Sequence, residues 1–279
     1  MAKSTAADGG DQPTNSFNEY YRELFPDRWP ALREALLREG VYEELRDGLL
    51  QPYYLDPASA AAARLLPVPG DGACSEDGAA QSHGAVLDAC AAPGGKSLVL
   101  ALRMGTNARL IANERSARRR ARLHRVLDEH LPADVRDRVT VTAHDATRWG
   151  LHEQDAYEAI LLDVPCSSER HVIQSEASLA EWSPKRSRRL AIQAFAMLAA
   201  MIDAARPGGH ILYATCALTP QENDQVIEKA LRRRGDRLEL VQASLPGGET
   251  TQYGTQVLPD RAGGAGPLYA ALLRKRSGT

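Results

Sequence analysis

Leu87-Asp88-Ala89-Cys90-Ala91-Ala92-Pro93-Gly94-Gly95-Lys96 is the stretch whose reading decides the fold. Its apolar lead-in, Ala85-Val86-Leu87, suits a short buried strand, and Pro93-Gly94-Gly95 is a strong turn signal. Ser97 to Leu102 then continues with helical composition. A strand, a tight loop and a helix in that order form the opening unit of an open α/β sheet. There the loop sits at the carboxyl end of its strand, small residues let a ligand approach the backbone, and the helix N-terminus favours negative charge. Such a loop suits a nucleoside-type cofactor. It contains no G-x-G-x-x-G for a dinucleotide and no G-x-x-x-x-G-K-[ST] for a phosphate cradle.

From residue 85 onward strands and helices alternate, which predicts a doubly wound parallel sheet. The expected strands are 85–87, 108–112, 138–142, 157–162 and 210–214. Ser116 is placed to cap a long helix to His130, and Ser183-Pro184 opens another that Pro207-Gly208-Gly209 closes. Thr219-Pro220-Gln221-Glu222 reads as a further helix start, with an N-cap Thr, Pro at the first position and Glu at the third. If the strands are parallel, Asp88, Glu114, Asp145, Asp163, Cys166 and Cys216 all fall at carboxyl ends, the edge where such sheets bind ligands. Each acid alone reads as a turn or cap residue, and for Asp88 that reading is preferred. Five consecutive strand ends finishing in an acid or a thiol are harder to explain by capping.

Upstream, Ser16-Phe17-Asn18-Glu19 has the form of a capping box ahead of a first helix, and Pro30 starts a second that ends at Gly40. Phe17, Tyr20, Tyr21, Phe25 and Trp29 concentrate there in a chain with 5% aromatics. Docking of these helices is the preferred reading over stacking on bases. Residues 67–84 read as a loop. Met1 to Pro13 carry one Lys, two Asp and no apolar block, so residues 1–15 are expected to be a disordered leader and not a targeting signal. The expected organisation is therefore leader 1–15, helical extension 16–66 and α/β domain 85–279.

Composition is that of an ordinary globular chain of 279 residues, 43% hydrophobic and 25% charged, with a formal net charge of −2. That charge gives no global signal for nucleic acid, so any contact with RNA must come from local patches. The four cysteines lie far apart without a C-x-x-C pair, which argues against zinc, and no metal site is expected. No apolar run approaches ~18 residues, so no transmembrane helix and a cytoplasmic location are expected.

The heptapeptide Cys90 to Lys96, CAAPGGK, resembles the first motif of the NSUN/RsmB (Sun-domain) RNA cytosine-5 methyltransferases. So do Asn18 to Leu37, Tyr53 to Ser59, the strand-end motifs, Glu222-Asn223-Asp224 and Gly266-Pro267-Leu268-Tyr269, together about four fifths of the chain. The likeness is to the compact branch that includes the mitochondrial ribosomal-RNA enzyme, and the apparent lack of a transit peptide points to a bacterial relative. It implies a Rossmann-like class I methyltransferase fold that uses S-adenosylmethionine. The expected cofactor set is Cys90, Ala91, Ala92, Pro93, Gly94, Gly95 and Lys96, with Glu114, Arg119, Asp145 and Asp163. Glu114 is assigned to the ribose, where the family usually has Asp, and Asp145 to the adenine amino group.

Carbon 5 of cytosine is a poor nucleophile, so its methylation requires a thiolate to add at carbon 6 first. In the family the Thr-Cys position supplies that thiol and the Pro-Cys position assists release, which implies Cys216 and Cys166 respectively. Asp163 is the expected partner of the flipped cytosine, and Lys96 is expected near both thiols, lowering their pKa. Cys90 and Cys74 read as packing or loop residues. RNA is the implied substrate, ribosomal sooner than transfer RNA. Arg170, His171, Lys185 and Arg186 are the best phosphate contacts, and a protein partner is envisaged to add RNA affinity. A silent RNA-binding assembly factor and a DNA cytosine methyltransferase are the competing readings. Retention of both thiols opposes the first, and absence of a large target-recognition insertion the second.

Overall fold

The computed structural model describes residues 13–70 and 84–277. Residues 1–12 of the expected leader, residues 71–83 of the expected loop and Cys74 lie outside the described residues. In chain order the elements begin with α1 (Pro13–Leu24), α2 (Trp29–Leu37), β1 (Glu43–Leu45), β2 (Tyr53–Leu55), α3 (Pro57–Leu65), β3 (Ala85–Asp88) and α4 (Gly95–Arg103). Then come β4 (Arg109–Asn113), α5 (Ala117–His130), α6 (Ala133–Arg136), β5 (Val139–Thr142), a 3₁₀ turn (Ala146–Leu151) and β6 (Tyr157–Asp163). After these follow α7 (Glu169–Ile173), α8 (Glu176–Ala180), α9 (Pro184–Ala204), β7 (Ala205–Thr215) and α10 (Asp224–Arg234). The chain closes with β8 (Leu238–Val241), β9 (Glu249–Thr250), β10 (Thr255–Val257) and β11 (Leu268–Lys275).

The five expected strands form one parallel block in the order β5-β4-β3-β6-β7. The chain leaves β3 toward β4 and β5, then returns to its other side with β6 and β7. The crevice between β3 and β6 is therefore the topological switch point, where open α/β sheets bind ligands. β11 joins β7 antiparallel and carries β10, β9 and β8 beyond it, a mixed extension the alternation of strands and helices does not reach. Two apolar clusters cover the two faces. Ala58, Leu98, Leu100, Leu123 and Leu127 pack on one, and Met197, Leu198, Met201, Ile202 and Ile227 on the other.

Several local expectations are corrected. The first helix begins at Pro13, so Ser16 lies within it and the proposed capping box is not its start, and the expected leader overlaps its first turn. The extension is not all helical, since β1 and β2 form a hairpin with Glu43 opposite Leu55. Ala58, Ala62 and Leu66 of the α3 region belong to the main core. Pro207-Gly208-Gly209 does not close α9, which ends at Ala204; it bulges inside β7, between the pairs Tyr157 with Ala205 and Ala159 with His210. Thr219 to Glu222 forms a turn, and α10 starts at Asp224, because Glu222 and Asn223 are drawn inward by buried partners. Ser116 does cap α5, accepting from the Arg119 amide.

Three of the five N-terminal aromatics are core, and Tyr20 and Phe25 pack against them partly buried. Phe17, Tyr21 and Trp29 are all at most 1% exposed, and the ring of Phe17 meets Trp182 edge-on at 5.0 Å. Such ring pairs add to area burial, and rings held this way have no face free for a base. Among the described residues no helix is long and apolar enough to cross a membrane. Replacing Phe17 by Ala should cost about 3–5 kcal/mol through the cavity left among Tyr21, Trp29 and Trp182. Urea unfolding measures it, and a loss below about 1 kcal/mol would show that the helices are not held by this cluster.

Candidate active site

The loop after β3 is shaped by packing before any ligand is considered. Gly94 has φ of +122°, and a Cβ there would lie 2.9 Å from Val126; at Gly95 a Cβ would lie 2.8 Å from the Tyr53 ring. The two glycines thus seat the loop against α5 and β2, where the sequence suggested room for a ligand. The opening lies on the other side. Leu55, Asp88, Cys90, Ala91, Ala92, Pro93, Gly95, Lys96 and Asp163 line a cleft at the switch point. Seven of the residues expected for the cofactor therefore meet there, and Gly94, Glu114, Arg119 and Asp145 are not part of its lining.

Glu114 and Arg119 are nevertheless tied to it. Arg119 donates to the Ala92 carbonyl at 2.7 Å and pairs with Glu114 at 3.3 Å, joining the first loop to the end of β4. Glu114 is buried and its other oxygen accepts the Ser116 amide at 2.7 Å. A carboxylate offers about four lone-pair directions, so a hydroxyl acceptor remains available. Asp145 turns toward its own loop, accepting from the Thr147 amide and hydroxyl and pairing with Arg115 at 3.2 Å. The Thr147 hydroxyl bond, with the amide and the arginines, holds its carboxyl below the ordinary range against the opposing effect of desolvation. Asn113, which the sequence reading passed over, locks the three strand ends together. Its amide donates to Ala89 and His144 carbonyls, and its oxygen accepts from Thr142 and the His144 amide.

Asp88 is fully buried. One oxygen accepts from the Ser97 hydroxyl at 2.6 Å, and the other has no partner. Burial pushes its pKa to about 7, with the Asp163 charge adding and the Ser97 bond opposing. An orphaned acceptor beside a cleft suits a ligand that brings a donor or positive charge. Asp163 pairs with Lys96 at 2.7 Å. Burial alone would depress the ammonium, but the carboxylate outweighs it and holds Lys96 above the usual lysine value. Cys90 is free, and burial pushes its thiol far up, so it lines the cleft as an inert small side chain.

Cys166 and Cys216, at the ends of β6 and β7, are free thiols whose Sγ atoms lie 2.7 Å apart. Ser168 completes the group: its hydroxyl is 3.1 Å from the Cys216 sulfur and 3.6 Å from that of Cys166. It sits at φ 55°, ψ 59°, left-handed space that a non-glycine residue adopts at some cost. The expectation that Lys96 lowers both thiol pKa values fails for Cys166. Its hydrogen bond to Cys216 and its burial drive it well above the ordinary thiol range, and the Lys96 charge is spent on Asp163.

Beneath the thiols lies a carboxylate pair. Glu222 accepts the Ser167 amide at 2.9 Å; Glu169 accepts the Leu218 amide and the Tyr21 hydroxyl, at 3.1 and 2.6 Å. Burial raises both, Glu222 to about 7. The helix-start pattern at Glu222 pointed to a cap and gave no sign of this buried role. Arg170, expected on phosphate, is half-buried and donates to the Gly264 carbonyl at 3.0 Å, so it braces the C-terminal loop; His171 is exposed. Among the described residues no group of acids, histidines and cysteines is arranged to hold a metal ion.

Asp88 makes stability fall as pH rises. Its carboxyl ionises near pH 4 in the unfolded chain and near 7 in the folded one. Between those values the folded state binds more protons, and stability declines through that window, by about 2–3 kcal/mol from pH 5 to 8. Asp88→Asn should remove this component while Glu222 keeps its own. Urea unfolding of both proteins at the two pH values tests this, and an equal decline in each would exclude Asp88 as a source.

The family description 16S rRNA methyltransferase RsmB/F matches residues 79–274. A Bos taurus protein named 5-cytosine rRNA methyltransferase NSUN4 is 37% identical over 239 residues, covering 80% of this chain and 59% of the relative. A Danio rerio protein named tRNA (cytosine(34)-C(5))-methyltransferase, mitochondrial, is 30% identical over 239 residues, covering 82% and 62%. The chain spans about half the length of the curated relatives it matches. A solved methyltransferase homologue from Pyrococcus horikoshii superposes with a TM-score of 0.69 at 19% identity, covering 93% of this chain and 94% of that one, which shows the shared fold. With its parallel block, its strand-end acids and thiols, and a family match over most of its length, the chain belongs to the RsmB/F methyltransferase family.

Proposed function

We propose that this chain is an S-adenosylmethionine-dependent RNA cytosine-5 methyltransferase that acts on ribosomal RNA. The observation that carries the reading is the pair of free thiols at adjacent strand ends, with Ser168 between them and the Lys96–Asp163 pair on the cleft side. The names of relatives such as the Bos taurus protein support ribosomal RNA. The Danio rerio relative favours transfer RNA as a second reading.

The cleft residues fit the cofactor. Asp88, with its orphaned oxygen, and Asp163 offer negative charge to the cationic amino-acid end, and Glu114 offers an acceptor for ribose hydroxyls. When bound, S-adenosylmethionine supplies an electrophilic methyl group. The protein's own part is to make carbon 5 of cytosine nucleophilic. Cys216 adds to carbon 6, with the Ser168 hydroxyl placed to donate to its sulfur. Asp163, which Lys96 fixes, is assigned to share a proton with the ring as charge develops. Release needs a base to take the carbon 5 proton and the Cys216 sulfur to leave, and Cys166 stands beside the bond that breaks.

Glu114→Ala should weaken S-adenosylmethionine binding by about 1–3 kcal/mol, the cost of losing a charged acceptor. Isothermal calorimetry with the whole chain measures it, and unchanged affinity would remove Glu114 from the site.

The two thiols separate because addition and elimination are different steps. Cys216→Ala should abolish methyl transfer and leave no covalent complex. Cys166→Ala should still attack and methylate but accumulate a protein–RNA adduct that survives denaturation. A denaturing gel with radiolabelled RNA reads both. An adduct with Cys216→Ala and none with Cys166→Ala would reverse the roles.

A further inference from the structure

A second cavity, of about 220 Å³, opens between α9 and α10. Arg188 and Ile192 come from α9, Gln225 and Lys229 from α10, and Gln221 from the turn before it, with Ala191 and Val226 as the floor. The spacing explains the shape, because positions three and four apart share a helix face and two such faces meet here.

Its chemistry is one-sided. Arg188 and Lys229 take part in no ion pair among the described residues, whereas Arg234 further along α10 is matched by Asp203. Lys229 lies 4.1 Å over the Phe195 ring, which holds its charge in place without neutralising it. The nearest carboxylate on the turn, Glu222, points the other way, into the protein, toward the Ser167 amide and Ser187. Gln221 has a buried amide oxygen with no partner. Ile192 is 62% exposed, a large apolar side chain in the cavity wall. Two unmatched cations, two amides and an apolar wall complement one ligand class: a nucleotide, with phosphate, base edge and base face.

Position supplies the rest. Gln221 adjoins Glu222, whose carboxylate holds the peptide next to Cys166, so the cavity is joined through this turn to the loop that carries Cys166. We infer that this groove binds a nucleotide flanking the target cytosine on the same single strand. Its phosphate lies between Arg188 and Lys229, its base rests against Ile192, and the Gln221 and Gln225 amides meet the base edge. The inference rests on the proposed methyltransferase reading and names how that site takes hold of RNA. It also moves the phosphate contacts away from Arg170.

The test uses the whole chain and a short fluorescein-labelled oligocytidylate, with binding followed by anisotropy over a range of salt. The Arg188→Ala/Lys229→Ala double variant should bind about 10- to 30-fold more weakly at 0.1 M salt, and its slope of log affinity against log salt should fall by about 0.7, one single-strand phosphate. Charge-preserving Arg188→Lys/Lys229→Arg should keep the slope, and S-adenosylmethionine affinity by calorimetry should be the same in all three proteins. A double-alanine slope equal to wild type overturns the groove and leaves it as a surface for a protein partner, while the thiol adduct experiment still stands for the methyltransferase reading. Wild-type protein that binds neither oligocytidylate nor S-adenosylmethionine overturns both.

Discussion

Parallel pairing of β6 with β7, Asp163 opposite Ala214, is the constraint on which the rest of the site depends. Cys166 and Cys216 are 50 residues apart in the chain, and only this register brings their sulfurs together. Alternate strand residues face opposite sides, so a slip of one position would turn both strands' buried sets to the wrong layer. Leu161, Leu162, Leu212 and Tyr213 are all fully buried, and that burial opposes any such slip. The bulge at Pro207 to Gly209 takes up extra residues at the far end of β7, leaving the register intact at the carboxyl end.

Register alone leaves the loops beyond the strands undetermined. Glu169 and Glu222 supply that control from beneath, since the carboxylates accept the amides of Ser167 and Leu218, one on each thiol loop. Tyr21 joins Glu169 from α1. The N-terminal helices therefore do more than cover apolar surface: the aromatic cluster that buries Phe17 and Trp29 also fixes a hydroxyl against the support of the thiol loops. Burial of two neighbouring acids carries a desolvation cost, visible in their raised pKa values. That cost is offset by main-chain amides that would otherwise be buried without acceptors. The left-handed conformation of Ser168 lies between these held points, so its strain is maintained by both sides of the loop.

What the sequence made legible was whatever depends on local pattern. The five parallel strands, the cap at Ser116 and the α9 start at Ser183-Pro184 follow from periodicity and turn chemistry, and they place the acids and thiols at one edge. Features settled by distant partners were not legible. Glu222 carries a helix-start pattern and is claimed by a loop 55 residues away. Arg170 sits in a basic stretch and is claimed by Gly264. Gly94 and Gly95 suggested space for a ligand, and the neighbours that fill it, Val126 and Tyr53, come from other parts of the chain. The four C-terminal strands have no alternation with helices to announce them.

Charge illustrates the same point at the scale of the whole molecule. A formal net charge of −2 counts every carboxyl as ionised. Asp88 and Glu222 are buried with pKa values raised to about 7, so near neutrality part of that negative charge is neutralised by bound protons. What remains of theirs lies inside, behind low-dielectric walls. Arginines and lysines instead crowd the outer faces of α5, α9 and α10. A polyanion approaching the surface responds to local charge within about a Debye length, ~8–10 Å at ordinary salt, and not to the sum over the chain. A near-neutral protein whose acids are drawn inward around its strand-end thiols can therefore present a basic face beside them, to which the approach of a polyanion is electrostatically favourable.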